Sequence, residues 1–265
     1  MVRLFVLILS SVWLTSAFAA TQVGQRYSPA EYSIQKPMDS KLVATLVNAV
    51  GVMNCDGALN TAQLTGKNDV ITTAGHSFYY GPAPYKGRQT CDEEYPPTSN
   101  CRFLLLDGTN RSFRVRMETL RKSCVRGDRN SDWAVAKLEG PVKGIQPLAL
   151  QGSEAVFYSG QSIMMISTVD GNQINQMVQD CTVYSYGQSA LEPIKTDCLT
   201  YLGNSGSAQI VRDFHGNYLL GSIHLGHYHP VDRKDLSFNE NYNYRYSAEV
   251  YGKFLEAIHE VMAMP

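Results

Sequence analysis

Neither sign of charge is in excess in this 265-residue chain, where 23 Lys and Arg stand against 24 Asp and Glu. A surface without a basic field gives nucleic acid or an anionic membrane no electrostatic footing, so neither is expected as a partner. The six cysteines include no Cys-x-x-Cys pair, which argues against thiol redox chemistry and a cysteine zinc site. Beyond the N-terminus no apolar run is long enough to cross a bilayer, and there is no repeat or low-complexity tract. Amphipathic helical patterning is almost absent as well. That last absence excludes a parallel α/β sheet, whose strands need helices between them.

What is present begins with an export signal. Residues 1–19 fit a secretory signal peptide, with Arg3 at the start, an apolar run over 4–14, and Ala17-Phe18-Ala19 as a small-x-small cleavage site. Ser10, Ser11 and Thr15 interrupt the run, and no basic stop-transfer cluster follows, so an uncleaved anchor is disfavoured. The expected product is secreted (extracellular or periplasmic), with no stable membrane association after signal removal. Residues 20–41 are polar, carry Pro29 and Pro37, and suggest a leader or possible propeptide rather than core.

From residue 42 onward, short apolar or alternating runs are separated by turns. Strands are expected within 42–53, 70–73, 113–117, 133–138, 163–169, 177–184, 208–211 and 218–224. Asp107-Gly108, Arg126-Gly127-Asp128, Asp170-Gly171-Asn172 and His215-Gly216-Asn217 punctuate them. One helix stands out, over about 247–262, where Val250, Phe254, Leu255, Ile258 and Val261 form an apolar stripe. Strand patterns closed by a single helix are thus what the residues themselves offer.

Three motifs carry chemistry. Gly203-Asn204-Ser205-Gly206-Ser207 sets a serine in a glycine-framed turn that can bend sharply and aim two N–H groups into one small volume. A serine hydroxyl needs a base within hydrogen-bond reach. His76, at the end of Ile71-Thr72-Thr73-Ala74-Gly75-His76, is that candidate, because imidazole can take and return a proton near neutral pH. Asp132 opens Asp132-Trp133-Ala134-Val135-Ala136-Lys137-Leu138, where a strand would carry its carboxylate inward to steady the imidazolium. Asp128 competes for that role but lies among Arg126, Arg129 and Asn130, as a solvated turn would. A strand-to-helix nucleophile elbow would want glycine two residues after the serine, where this chain has Ser207. Of His224, His227 and His229, a strand points His224 one way and His227 the other, and no carboxylate at ligand spacing joins them, so no metal and no cofactor are expected.

In their order His, Asp, Ser, these motifs resemble the chymotrypsin/trypsin-like serine peptidases, and GNSGS is most similar to the bacterial glutamyl endopeptidase branch. The resemblance implies an all-β fold with a C-terminal α-helix, built as two packed antiparallel six-stranded β-barrels with the site in the cleft between them. Residues 42–146 would form the first barrel, with His76 and Asp132. Residues 147–265 would form the second, with Ser205 and the helix. It also implies a serine endopeptidase acting on polypeptide substrates, as a monomer, with the backbone N–H groups of Gly203 and Ser205 as oxyanion hole. The substrate pocket would be lined by Leu199, Thr200, His224, Leu225 and Gly226. Leu199 stands six positions before the serine, where trypsin-like enzymes carry an acid. Thr200 and His224 match positions that receive a substrate Glu or Asp carboxylate; an apolar pocket for Leu or Phe is the rival. The alternative function is a catalytically inactive homologue that binds peptide or protein partners.

Export makes six cysteines a disulfide set, though spacing alone leaves the pairing open. Cys91–Cys101 is favoured as a clasp on a loop rich in Pro and Tyr, and Cys181–Cys198 as a tie between the Ser205 loop and a neighbouring strand. Cys55–Cys124 then remains. Two features depart from the vertebrate pattern: Asn204 replaces the aspartate that binds a newly cut N-terminus, and Ser77 replaces the cysteine after the histidine.

Overall fold

A computed structural model describes residues 25–36, 40–79, 98, 100–124, 131–150, 157–171, 173–185, 193–228 and 244–265. The expected signal peptide, Cys91, His229 and the turn expected at 126–128 lie outside these residues. Strands β1 (Val50–Cys55), β2 (Ala58–Thr65), β3 (Lys67–Thr73), β4 (Cys101–Leu105), β5 (Ser112–Ser123) and β6 (Trp133–Leu138) close into one antiparallel barrel, in the order β1-β2-β3-β6-β5-β4. Strands β7 (Ser162–Asp170), β8 (Gln173–Ser185), β9 (Ile194–Thr196), β10 (Ala208–Arg212), β11 (Tyr218–Tyr228) and β12 (Tyr244–Glu249) close into a second, in the order β10-β11-β12-β9-β8-β7. The expected pair of six-stranded barrels is therefore present.

The first barrel buries polar residues that hide its strands from a hydropathy reading. In β2, Asn60, Thr61, Gln63 and Thr65 are all buried. Three of the four find partners for their side chains: the Thr61 hydroxyl donates to the Gly203 carbonyl at 3.3 Å, Gln63 Nε2 donates to Thr72 Oγ1 at 2.7 Å, and the Thr65 and Thr72 hydroxyls meet at 2.8 Å. Strand β6 is buried along its whole length because a helix, α3 (Gly252–Ala263), covers it. Phe254, Ala257, Ile258 and Val261 form its buried stripe, and Phe254 stacks on Trp133 with ring centroids 5.0 Å apart. Burying Phe254, Ile258 and Val261 contributes roughly 1.5–3 kcal/mol each before ordering costs. Lys67 and Lys137 donate to the Met262 and Met264 carbonyls, both at 2.6 Å, so cations sit at the negative end of the helix. The last element of the chain thus packs on the first barrel.

Several expectations change. Residues 42–53 are not one strand: helix α2 (Ser40–Asn48) precedes β1, burying Val43, Leu46 and Val47 at helical spacing. The terminal helix starts at Gly252, because Ser247 is held in β12 opposite His224. Residues 25–36 are not a polar segment apart from the core. Helix α1 (Pro29–Gln35) carries a Ser28/Glu31 capping box, and Tyr32 is buried with its hydroxyl 2.6 Å from Asp180. Tyr27 adds a strand-like pair of backbone bonds to Val178, at 2.9 and 2.8 Å.

The disulfide framework is corrected as well. Cys181–Cys198 forms as expected. Cys55 pairs with Cys101, so Cys55–Cys124 and Cys91–Cys101 are both overturned. The reason is register: β1 and β4 place Cys55 directly opposite Cys101, with Cα atoms 4.2 Å apart. Cys124 is also disulfide-bonded, to a partner outside the described residues.

Candidate active site

Strand pairing brings His76 to Asp132. Thr73 ends β3 opposite Ala134 of β6, so the residues just beyond Thr73 lie beside those just before Trp133. Ala74 is extended, and His76 sits in a short 3₁₀ turn, Gly75–Phe78. The Asp132 carboxylate holds this turn with both oxygens. Oδ1 accepts the His76 backbone N–H at 2.8 Å, and Oδ2 lies 2.5 Å from ring Nδ1. With Nδ1–H donating, the tautomer is fixed and Nε2 is left with a lone pair. Gly75 must be small here, since a Cβ would stand 2.9 Å from the Ser123 carbonyl and 3.0 Å from Asp132 Oδ1.

The serine turn reaches the same place from the second barrel. Gly203 and Gly206 take φ of +86° and +82°, which L side chains rarely adopt. A Cβ on Gly206 would overlap the Thr61 carbonyl and Thr73 Oγ1 and come within 3.1 Å of Ala74 N, two residues before His76. Thr61 of β2 donates its N–H to the Ser205 carbonyl at 3.0 Å and its hydroxyl to the Gly203 carbonyl at 3.3 Å. The histidine and serine segments are therefore in direct contact across the barrel boundary.

The two side chains are not hydrogen-bonded to each other. Ser205 Oγ donates to the Leu225 carbonyl at 3.3 Å. His76 Nε2 is buried with no hydrogen-bond partner among the described residues. Asn204, fully buried, acts as a bracket: its Oδ1 accepts the Tyr201 N–H at 2.7 Å and its Nδ2 donates to the Val169 carbonyl. These backbone partners suit a neutral amide.

The residues expected to line a substrate pocket flank this turn. Leu199 is clamped to Gln179 of β8, accepting from Nε2 at 2.8 Å and donating to Oε1 at 2.9 Å. The next residue, Thr200, is buried, and its hydroxyl has no hydrogen-bond partner among the described residues. His224 of β11 is buried and joined to the serine turn through its backbone: it donates to the Ser207 carbonyl at 2.9 Å and accepts from Gly206 N at 2.7 Å. Leu225 occupies a bulge in β11, and Gly226 lies where a Cβ would stand 3.0 Å from the Tyr246 hydroxyl oxygen. Asp197, immediately before Cys198 of the Cys181–Cys198 bridge, is buried. Burial raises its carboxyl pKa, against the N–H of Thr182 donating at 2.6 Å. Among the described residues no cluster of three His, Cys, Asp or Glu could hold a metal ion.

Barrel topology and site location together decide the architecture. This is the chymotrypsin-like fold. No family model and no curated protein matches the sequence. Solved structures do match it. A glutamyl endopeptidase in complex with MPD aligns with a TM-score of 0.59 and 17% identity, over 82% of this chain and 92% of that one. The protease Anisep from Arthrobacter nicotinovorans aligns with a TM-score of 0.58 and 14% identity, over 83% and 98%. An HtrA-type protease with a bound tripeptide gives 0.50 and 18%, over 77% and 58%. The chymotrypsin-like architecture is thus shared at sequence identities of 14–18%.

Sequence reasoning missed the residues that support the serine and histidine turns. Thr61 lies in an unremarkable run of polar residues, Thr73 carries no role of its own within the histidine motif, and Gln179 lacks any motif. Arg26, whose guanidinium lies beside Tyr201, sits in what looked like a leader.

Proposed function

We propose that this chain is an exported serine endopeptidase, with Ser205 as nucleophile, His76 as base and then acid, and Asp132 as the group that orients and stabilises the imidazolium. The observation that carries the proposal is the Asp132 carboxylate gripping both the backbone and Nδ1 of His76, with Nε2 unpartnered beside the serine turn. On substrate binding the Ser205 hydroxyl leaves the Leu225 carbonyl and rotates toward Nε2. Catalytic hydrogen bonds are often long or absent before substrate arrives. His76 takes the hydroxyl proton as Oγ attacks the scissile carbonyl carbon, and negative charge moves onto the carbonyl oxygen. The N–H groups of Gly203 and Ser205 receive that charge. His76 then returns the proton to the leaving amine, and water releases the acyl group by the same route.

The substrate side chain preceding the cut would carry a carboxylate. Thr200 supplies a buried hydroxyl without a partner among the described residues, and His224 a buried imidazole on the other flank of the turn. A buried acid requires such donors, because leaving it unpaired costs several kcal/mol. A second reading has one observation in its favour: the Ser205–Leu225 bond leaves the serine turned away from its base, as in a silent peptide-binding homologue. Digestion of a mixed peptide pool, with product ends read by mass spectrometry, separates these outcomes. Fragments ending in Glu or Asp support the carboxylate pocket, and ends in Leu or Phe reject it while leaving the triad standing. Ser205→Ala should lower turnover about 10⁶-fold without changing the melting curve.

A further inference from the structure

We infer that Arg26 is a positioning residue for the oxyanion hole, and that the N-terminal strap 25–36 is part of the working enzyme. The inference rests on Ser205 and Gly203 acting as proposed above. Arg26 is almost wholly buried at the side chain, and its guanidinium touches both sides of the serine turn's support. Nη1 donates to Asp170 Oδ2 at 3.1 Å and Nη2 to Ser167 Oγ at 3.3 Å. The same group lies over the Tyr201 ring, 5.0 Å from its centroid. A planar guanidinium can make both kinds of contact at once, which an ammonium cannot.

Those contacts matter because of what Asp170 adjoins. Asp170 and Gly171 form the tip of the β7–β8 hairpin, and Gly171 N–H donates to the Leu202 carbonyl at 2.8 Å. The Leu202 carbonyl and the Gly203 N–H belong to one planar trans peptide, so they point in opposite directions. Fixing that carbonyl on Gly171 fixes the direction of the Gly203 N–H. Two further contacts join hairpin and turn: Asn204 Nδ2 donates to the Val169 carbonyl, and Gly203 packs against the Val169 side chain. The chain of support runs from Arg26 to the hairpin tip, from there to the Leu202 carbonyl, and so to the oxyanion donor.

The strap is anchored independently of Arg26. Tyr27 bonds to the Val178 backbone, the Tyr32 hydroxyl meets Asp180, and Lys36 pairs with Asp180 at 2.8 Å. Removing the arginine side chain should therefore leave the strap docked and release only the hairpin tip. The arrangement uses a side chain from a docked segment, with neutral Asn204 at the position before the nucleophile.

The test compares wild type, Arg26→Ala, Arg26→Lys, Asp170→Asn and the Arg26→Ala/Asp170→Asn pair in full-length exported protein. The readouts are pre-steady-state acylation by an activated ester, kcat and KM on a peptide, and melting temperature. Arg26→Ala is expected to slow acylation and kcat by about 10–100-fold, below the ~10²–10³ for outright loss of a donor, with KM nearly unchanged. Arg26→Lys should recover part of the rate, and the double variant should be no slower than the worse single one. Equal acylation by wild type and Arg26→Ala overturns the inference alone. So does a loss that falls on KM, or one that only tracks the unfolded fraction. A wild type that never acylates overturns the Ser205 reading, and this inference with it.

Discussion

Gly203→Ala is the substitution whose cost can be worked most directly from the geometry. Gly203 has φ +86°, and an added Cβ would overlap the Val169 side chain, standing 2.8 Å from its Cβ. Holding alanine in the left-handed region costs roughly 1–2 kcal/mol. Overpacking against Val169, which is fully buried in β7, costs roughly 1–3 kcal/mol more. Together they should lower stability by roughly 2–5 kcal/mol. Relief of the overlap must push the turn off the hairpin, displacing the Gly203 N–H, so turnover of the folded protein should fall ~10²–10³-fold. Gly108→Ala is the internal control. It has nearly the same φ, +85°, with nothing within 4 Å of the added Cβ, so it should cost only the backbone strain and leave turnover intact. Urea unfolding and ester turnover on the two variants side by side provide the assay. If Gly203→Ala is no less stable than Gly108→Ala and equally active, the tight fit proposed for the turn is wrong.

Replacing both Cys55 and Cys101 with alanine opens a loop spanning 46 residues and should cost about 4 kcal/mol by loop-closure entropy. Thermal melts check it; a melting point unchanged by the double substitution would contradict it. Asp107 gives a pH signature. Burial alone would raise its carboxyl pKa, but the Thr109 hydroxyl, the Arg111 guanidinium at 2.6 Å and the Thr109 N–H together hold it at about 2. A depressed carboxylate stabilises the fold above its unfolded pKa of about 4 and loses that contribution as pH falls through 2. Asp107→Asn should therefore melt lower than wild type at neutral pH, with the gap closing between about pH 4 and 2. A gap independent of pH would remove the charge from the explanation.

How far the fold was legible depends on where each strand keeps its apolar residues. Residues 133–138 are unbroken and apolar apart from Lys137, and β6 occupies the span expected. Strand β2 was invisible because its buried positions include Asn60, Thr61, Gln63 and Thr65, and the last three become acceptable only through partners that the fold supplies. Residues 42–53 misled for a different reason. Val43, Leu46 and Val47 satisfy a helical period as well as an apolar strand run, and only the β1 pairing that begins at Val50 sets the break. The disulfide error followed from the missing β4: without that strand, nothing signals that Cys101 faces Cys55.

The candidate reacting groups stand out in the sequence more than the residues around them do. His76, Asp132 and Ser205 each stand in a local context of glycine, threonine or strand onset that is weak alone and gains its weight from their order along the chain. Asn204, Gly171 and Arg26 act through contacts spanning up to 144 residues of sequence, and such separations leave no local pattern.

The most direct measurement is the site of covalent capture by a fluorophosphonate probe, read by peptide mass mapping of the purified exported protein. One adduct per chain on Ser205, abolished by Ser205→Ala and strongly slowed by His76→Ala, is the expected result. No adduct on wild type, or an adduct on a different residue, would contradict the claim that His76 and Asp132 activate this serine.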